Sequence, residues 1–99
     1  MEPQIIFHRL VQRDMSGILR YYREKASASV ADRFFETFLE VADRALENPK
    51  RFHPAVADYR RANIPGFPYH FLYRAMPYGI RILVLRHDRR HPSFGLKRR

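Results

Sequence analysis

Residues 59–87 read YRRANIPGFPYHFLYRAMPYGIRILVLRH, and this stretch decides the fold. Tyr59–Ile64, Tyr69–Met76 and Ile80–His87 have the length and residue types of strands, while Pro65-Gly66-Phe67-Pro68 and Pro77-Tyr78-Gly79 are turns. In the last segment Ile80, Ile82 and Val84 alternate with Arg81, Leu83 and Leu85, giving one aliphatic face and one mixed face. Three strands with such short connections predict an antiparallel meander.

Upstream the apolar period is helical. Val11, Met15, Ile18, Leu19 and Tyr22 form one stripe of an amphipathic helix that runs through Lys25. Ala26–Ser29 is a break, and Ser29 followed by Asp32 predicts a capping box for a second helix. That helix carries two adjoining stripes, Val30/Phe34/Phe38/Val41/Ala45 and Phe35/Leu39/Ala42/Leu46, and ends at Asn48-Pro49. An apolar face that wide should be covered on more than one side; the Phe34/Phe35/Phe38 cluster is expected in the core. Gln4–His8, behind Pro3, reads as a further strand. The expected order is therefore β-α-α-β-β-β, an α+β domain spanning residues 1–99, with the helical hairpin on one face of an antiparallel sheet. Residues 91–99, ending PSFGLKRR, are expected to form a flexible basic tail.

Composition narrows the function. The 99 residues contain no cysteine, which removes disulfides, thiolate metal sites and thiol catalysis. No apolar run approaches the ~20 residues that span a bilayer, and the start MEPQIIFHRL has no signal-peptide pattern, so the expected compartment is the cytoplasm, with no membrane partner. Residues 1–50 carry equal numbers of acids and bases; after Lys50 there are eleven Lys and Arg against only Asp58 and Asp88, which is the whole net charge of +9. Ten of those eleven are arginine, the better side chain for carboxylates and phosphates. A polyanionic or acidic partner is the expectation.

The candidate residues lie in this basic half. Arg74 and Arg81 flank one short turn and become cross-strand neighbours if the register allows; two guanidiniums side by side either bracket an anion or spread over the sheet edge. His87, in Arg86-His87-Asp88-Arg89-Arg90, has the titration range of a general acid, with His70, His53 or Asp88 as conceivable bases. The bland alternative pairs Asp88 with an arginine and leaves His87 an ordinary strand-end residue. His87 and His91 lack the further ligands of a metal site, and there is no glycine-rich phosphate loop, so no cofactor and no metal are expected.

A strand, a helical hairpin ending in Asn48-Pro49, and then RRANIPGFPYHFLYR…GIRILVLRHDRRHPSFG together resemble the toxins of the RelE/ParE superfamily of type II toxin–antitoxin modules. The resemblance covers nearly the whole chain. It is closest to the ParE, or plasmid-stabilisation, branch, where a last strand runs into a His-x-x-Arg-x-Pro-like ending, here His87, Arg90 and Pro92. That branch implies a poison of DNA gyrase without chemistry of its own. The RelE branch implies a ribosome-dependent mRNA endoribonuclease, in which Arg74, Arg81, His87 and Arg90 would hold and protonate the RNA. The absence of lysine between Arg51 and Leu96, and of tyrosine after Tyr78, favours ParE. Either branch implies an acidic antitoxin folding over the basic sheet or the helices, with Arg60, Arg61, Arg74, Arg81, Arg86, His87, Arg89 and Arg90 as the target- or antitoxin-binding set. An inactive homologue or a plain nucleic-acid-binding module is the third reading.

Overall fold

The computed structural model describes residues 2–99. The elements are β1 (Gln4–Phe7), α1 (Val11–Lys25), α2 (Ala28–Glu47), β2 (His53–Val56), β3 (Tyr59–Asn63), β4 (Tyr69–Met76) and β5 (Gly79–His87). They build one five-stranded sheet of order β1-β5-β4-β3-β2, in which β1 runs parallel to β5 and the other neighbours are antiparallel. The α+β class and the helical hairpin are as expected. One strand is added: β2, four exposed residues (His-Pro-Ala-Val) with no apolar alternation to announce them. It exists because β3 offers it a ladder, with an irregularity between Pro54 and Val56, and proline is tolerated at a sheet edge.

The hairpin's cap also differs from expectation. Ser27, not Ser29, is the N-cap: its backbone is extended and its hydroxyl accepts from the Val30 N–H at 3.1 Å, which leaves Ser29 inside the first turn. Arg23 and Lys25 close α1 where cations suit the helix dipole.

Phe34, Phe38, Val41, Ala42 and Ala45 of α2, with Val11, Met15 and Ile18 of α1, pack on Phe71, Tyr73, Ile80, Ile82 and Leu85 of the sheet. Ring contacts between Phe34 and Phe67 (5.1 Å) and between Phe38 and Phe71 (5.4 Å) are edge-on, the favoured geometry for aromatic pairs. The simple alternation read for β5 is corrected here. Tyr73 is opposite Ile82 but Leu72 is opposite Val84, so Leu83 is an extra residue. This bulge puts Leu83 and Val84 together on the outer face and returns Leu85 to the helix face.

The segment expected to be a flexible tail is folded. Phe94 and Leu96 pack on the outer-face cluster of Leu72, Leu83 and Val84. Gly95 (φ 84°) lies so close to Val84 that a Cβ there would sit 2.6 Å from its Cγ2. The Arg86 guanidinium donates to the carbonyls of Pro92 and Phe94, both at 2.8 Å. Arg98 reaches across the sheet edge to Asp14 of α1 in a buried two-bond pair of 2.6 and 2.9 Å. The reason is a gap in the sheet: β1 ends opposite Ile82, and beyond it the Leu85 N–H donates to the Asp14 carboxylate while Arg98 donates to the Leu83 carbonyl. Two side chains thus replace the missing strand.

Candidate functional site

Arg74 and Arg81 are direct cross-strand partners on the outer face of the sheet, the register required for them to be neighbours. Arg74 pairs with Asp58 at 3.3 Å and lies 5.5 Å over the Tyr59 ring, while its Nε–H is buried without an acceptor. Arg81 forms no ion pair among the described residues.

At the other end of the sheet the basic residues are tied into the fold. Arg61 donates to Asn63 and to Asp88, the latter at 3.2 Å. Asp88 also accepts from Nδ1 of His70 at 2.8 Å, and His70 Nε2 accepts from the Arg86 Nε–H at 3.0 Å. Because an arginine only donates, Nε2 must be the bare nitrogen and His70 the neutral tautomer protonated on Nδ1. Its pKa is lowered, chiefly by burial; the Asp88 hydrogen bond opposes this, and Arg61 and Arg86 add to it. Burial, then Arg61, also lowers the pKa of Arg86. Arg60 is likewise structural, donating to the Phe52 carbonyl at 2.7 Å and holding the loop between α2 and β2. Beside it Tyr73, its phenol pKa raised by burial, donates to Pro49 at 2.7 Å.

His87 sits on the helix side of β5, its ring 5.0 Å from Tyr69 and its Nδ1 accepting from the Arg89 N–H at 3.0 Å. It lines a cleft of about 380 Å³ with Arg13, Tyr21, Tyr69, Arg86 and Arg90. Arg90 covers the Phe94 ring at 4.0 Å, and Arg89 is exposed. The four residues considered for RNA cleavage therefore split in two. Arg74 and Arg81 lie on the outer face, whereas His87 is on the helix face, six residues and roughly 20 Å along the strand. Of the other conceivable bases, His70 is buried and committed, and His53 lies on edge strand β2.

The structure adds a surface not foreseen as one. Phe7, Phe35 and Leu39 are 43%, 41% and 41% exposed around a groove of about 450 Å³ between β1 and the two helices, next to the free edge of β1. Only Phe34 and Phe38 of the phenylalanine cluster are core. The signal was the double stripe on α2: the sheet covers one side, and the side bearing Phe35 and Leu39 has no cover. No helix is long and apolar enough to cross a membrane among the described residues.

The structure is similar to a chain of the chromosomal ParDE toxin–antitoxin system from P. aeruginosa, with a TM-score of 0.76 and 17% sequence identity, covering 86% of this chain and 95% of that one. The sequence matches the family "ParE toxin of type II toxin-antitoxin system, parDE" over residues 5–92. The chain belongs to that family and is the toxin type of a type II toxin–antitoxin system. No curated protein matches it in sequence.

Proposed function

We propose that this toxin binds DNA gyrase in the cytoplasm and blocks growth until an acidic antitoxin neutralises it. Membership of the ParE family carries the reading. The separation of Arg74 and Arg81 from His87 and Arg90 counts against the four acting together as one RNA-cleaving site. The groove beside β1 suits the antitoxin: Phe7, Phe35 and Leu39 supply apolar anchors, and the chain's net charge of +9 steers an acidic segment that folds on contact.

The test is purified toxin with gyrase, plasmid DNA and ATP, scored for supercoiling and for trapped double-strand breaks. Loss of supercoiling or accumulation of cleaved DNA, relieved by the antitoxin, is the expected result, with His87→Ala retaining inhibition within about threefold. The competing reading, ribosome-dependent RNA cleavage, rests on the cleft that holds His87 with Arg13, Arg86 and Arg90. An inert toxin in the gyrase assay, together with RNA cleavage that His87→Ala lowers by ~10²-fold or more, would establish it instead.

A further inference from the structure

A second groove, of about 710 Å³, lies between the β1–α1 junction and the C-terminal segment. Arg9 and Arg13 line it from the helix side and Lys97 and Arg99 from the segment, all four exposed. Asp14 is the one carboxylate side chain among its lining residues, and both its oxygens are engaged by Arg98. Four cations therefore face this groove with no carboxylate side chain left to neutralise them. The buried His8 beside it has its pKa lowered by burial first, then by Arg81, Arg98 and Arg9, with a backbone hydrogen bond at Arg99 opposing the shift.

We propose that this groove binds the phosphate backbone of double-stranded DNA. An acidic peptide would find charge there but only the half-buried Leu10 as an apolar anchor, because the one aromatic lining residue, Phe94, carries the guanidiniums of Arg90 (4.0 Å) and Arg98 (5.4 Å) over its ring. The apolar surface a peptide needs is in the other groove, around Phe35 and Leu39. A single strand needs open aromatic faces on which its bases stack, and the Phe94 ring is taken. A duplex keeps its bases stacked and offers an evenly spaced row of phosphates, which arginine and lysine can hold without reading sequence. The binding does not depend on the gyrase reading. If that reading holds, the groove adds affinity for gyrase that already has DNA bound.

Fluorescence anisotropy of the full chain with a labelled 20-base-pair duplex, without gyrase, tests the groove alone. Four phosphate contacts give an expected slope of log affinity on log salt of about −3.6. The triple variant Arg9→Glu, Arg13→Glu, Lys97→Glu should bind at least about 100-fold more weakly. Arg44→Glu with Arg51→Glu, which lie outside the groove, should change affinity less than about threefold at matched salt. Arg9→Gln with Lys97→Gln gives the same reading, in a smaller loss, should the triple variant fail to fold. The proposal is overturned by no binding at 50 mM salt, by equal losses in the groove and control variants, or by tighter binding of a single strand than of the duplex. It is also overturned if polyglutamate binds as tightly as DNA through the same residues, which would assign the groove to an acidic protein.

Discussion

The two faces of the sheet are built by different physics. The helix face is closed by 35 residues of helix whose aromatic and alanine side chains fill a continuous core, from Val11 to Leu85. The outer face has only Leu72, Leu83 and Val84 as its buried cluster, closed by a short irregular segment. That segment has no ladder to hold it. Arg86, Arg98 and Asp14 hold it with charge-assisted hydrogen bonds, and Phe94 and Leu96 add a small apolar contact. A core made of area tolerates an altered surface charge; a face pinned by two arginines does not.

The largest test of that contrast is Phe34→Ala, which empties the centre of the helix-face core and should cost about 3–5 kcal/mol in urea unfolding. Phe94→Ala, across the sheet, should cost clearly less, because its ring is only half-buried; equal losses would mean the outer face is a core in its own right. Next comes Asp14→Leu, expected to cost about 3 kcal/mol by leaving the Arg98 charge buried and unpaired. Adding Arg98→Leu should restore part of that loss, and a double-mutant cycle measures the coupling.

Two glycine substitutions should differ in sign. Gly95→Ala drives a Cβ into Val84 at a left-handed backbone position and should destabilise by about 1–3 kcal/mol, lifting the segment off the sheet. Gly17→Ala on α1 meets nothing within 4 Å and should stabilise by up to about 1 kcal/mol.

The smallest effect is with pH. His8 and His70 are both held below the ordinary value of 6.5, so the unfolded chain takes up these protons first as the pH falls. Stability should be full above about pH 6.5 and decline below it, through the lower folded-state values. Urea midpoints at pH 7.5 and 5.5 read this directly; His70→Gln should flatten the difference, and a midpoint that rose on acidification would contradict it.

Periodicity and turn chemistry, both local, were enough to read the hairpin and the meander from the chain alone, while the Arg74–Arg81 pairing depended on a register that only the sheet supplies. The β5 bulge was illegible because Ile80–Leu85 alternates well on paper; only pairing with β4 shows that Leu83 has no partner. Strand β2 was missed because its four residues gain their order from β3 rather than from their own pattern. The same limit applied to the candidate site. Arg60, Arg61 and Arg86 stood in the expected binding set; pairing of Asp88 with an arginine was among the readings, but a sequence does not print the carbonyls and the His70 that also engage these side chains.

By itself the sequence determined the fold class and the placement of the positive charge, because apolar period, turn residues and net charge are properties of neighbours along the chain. Tertiary structure alone decided which charges are spent and which remain free. Asp14 and Arg98 are 84 residues apart and meet only because β1 stops opposite Ile82. Once that pair forms, Arg9, Arg13, Lys97 and Arg99 are left facing the groove without a carboxylate side chain to answer them.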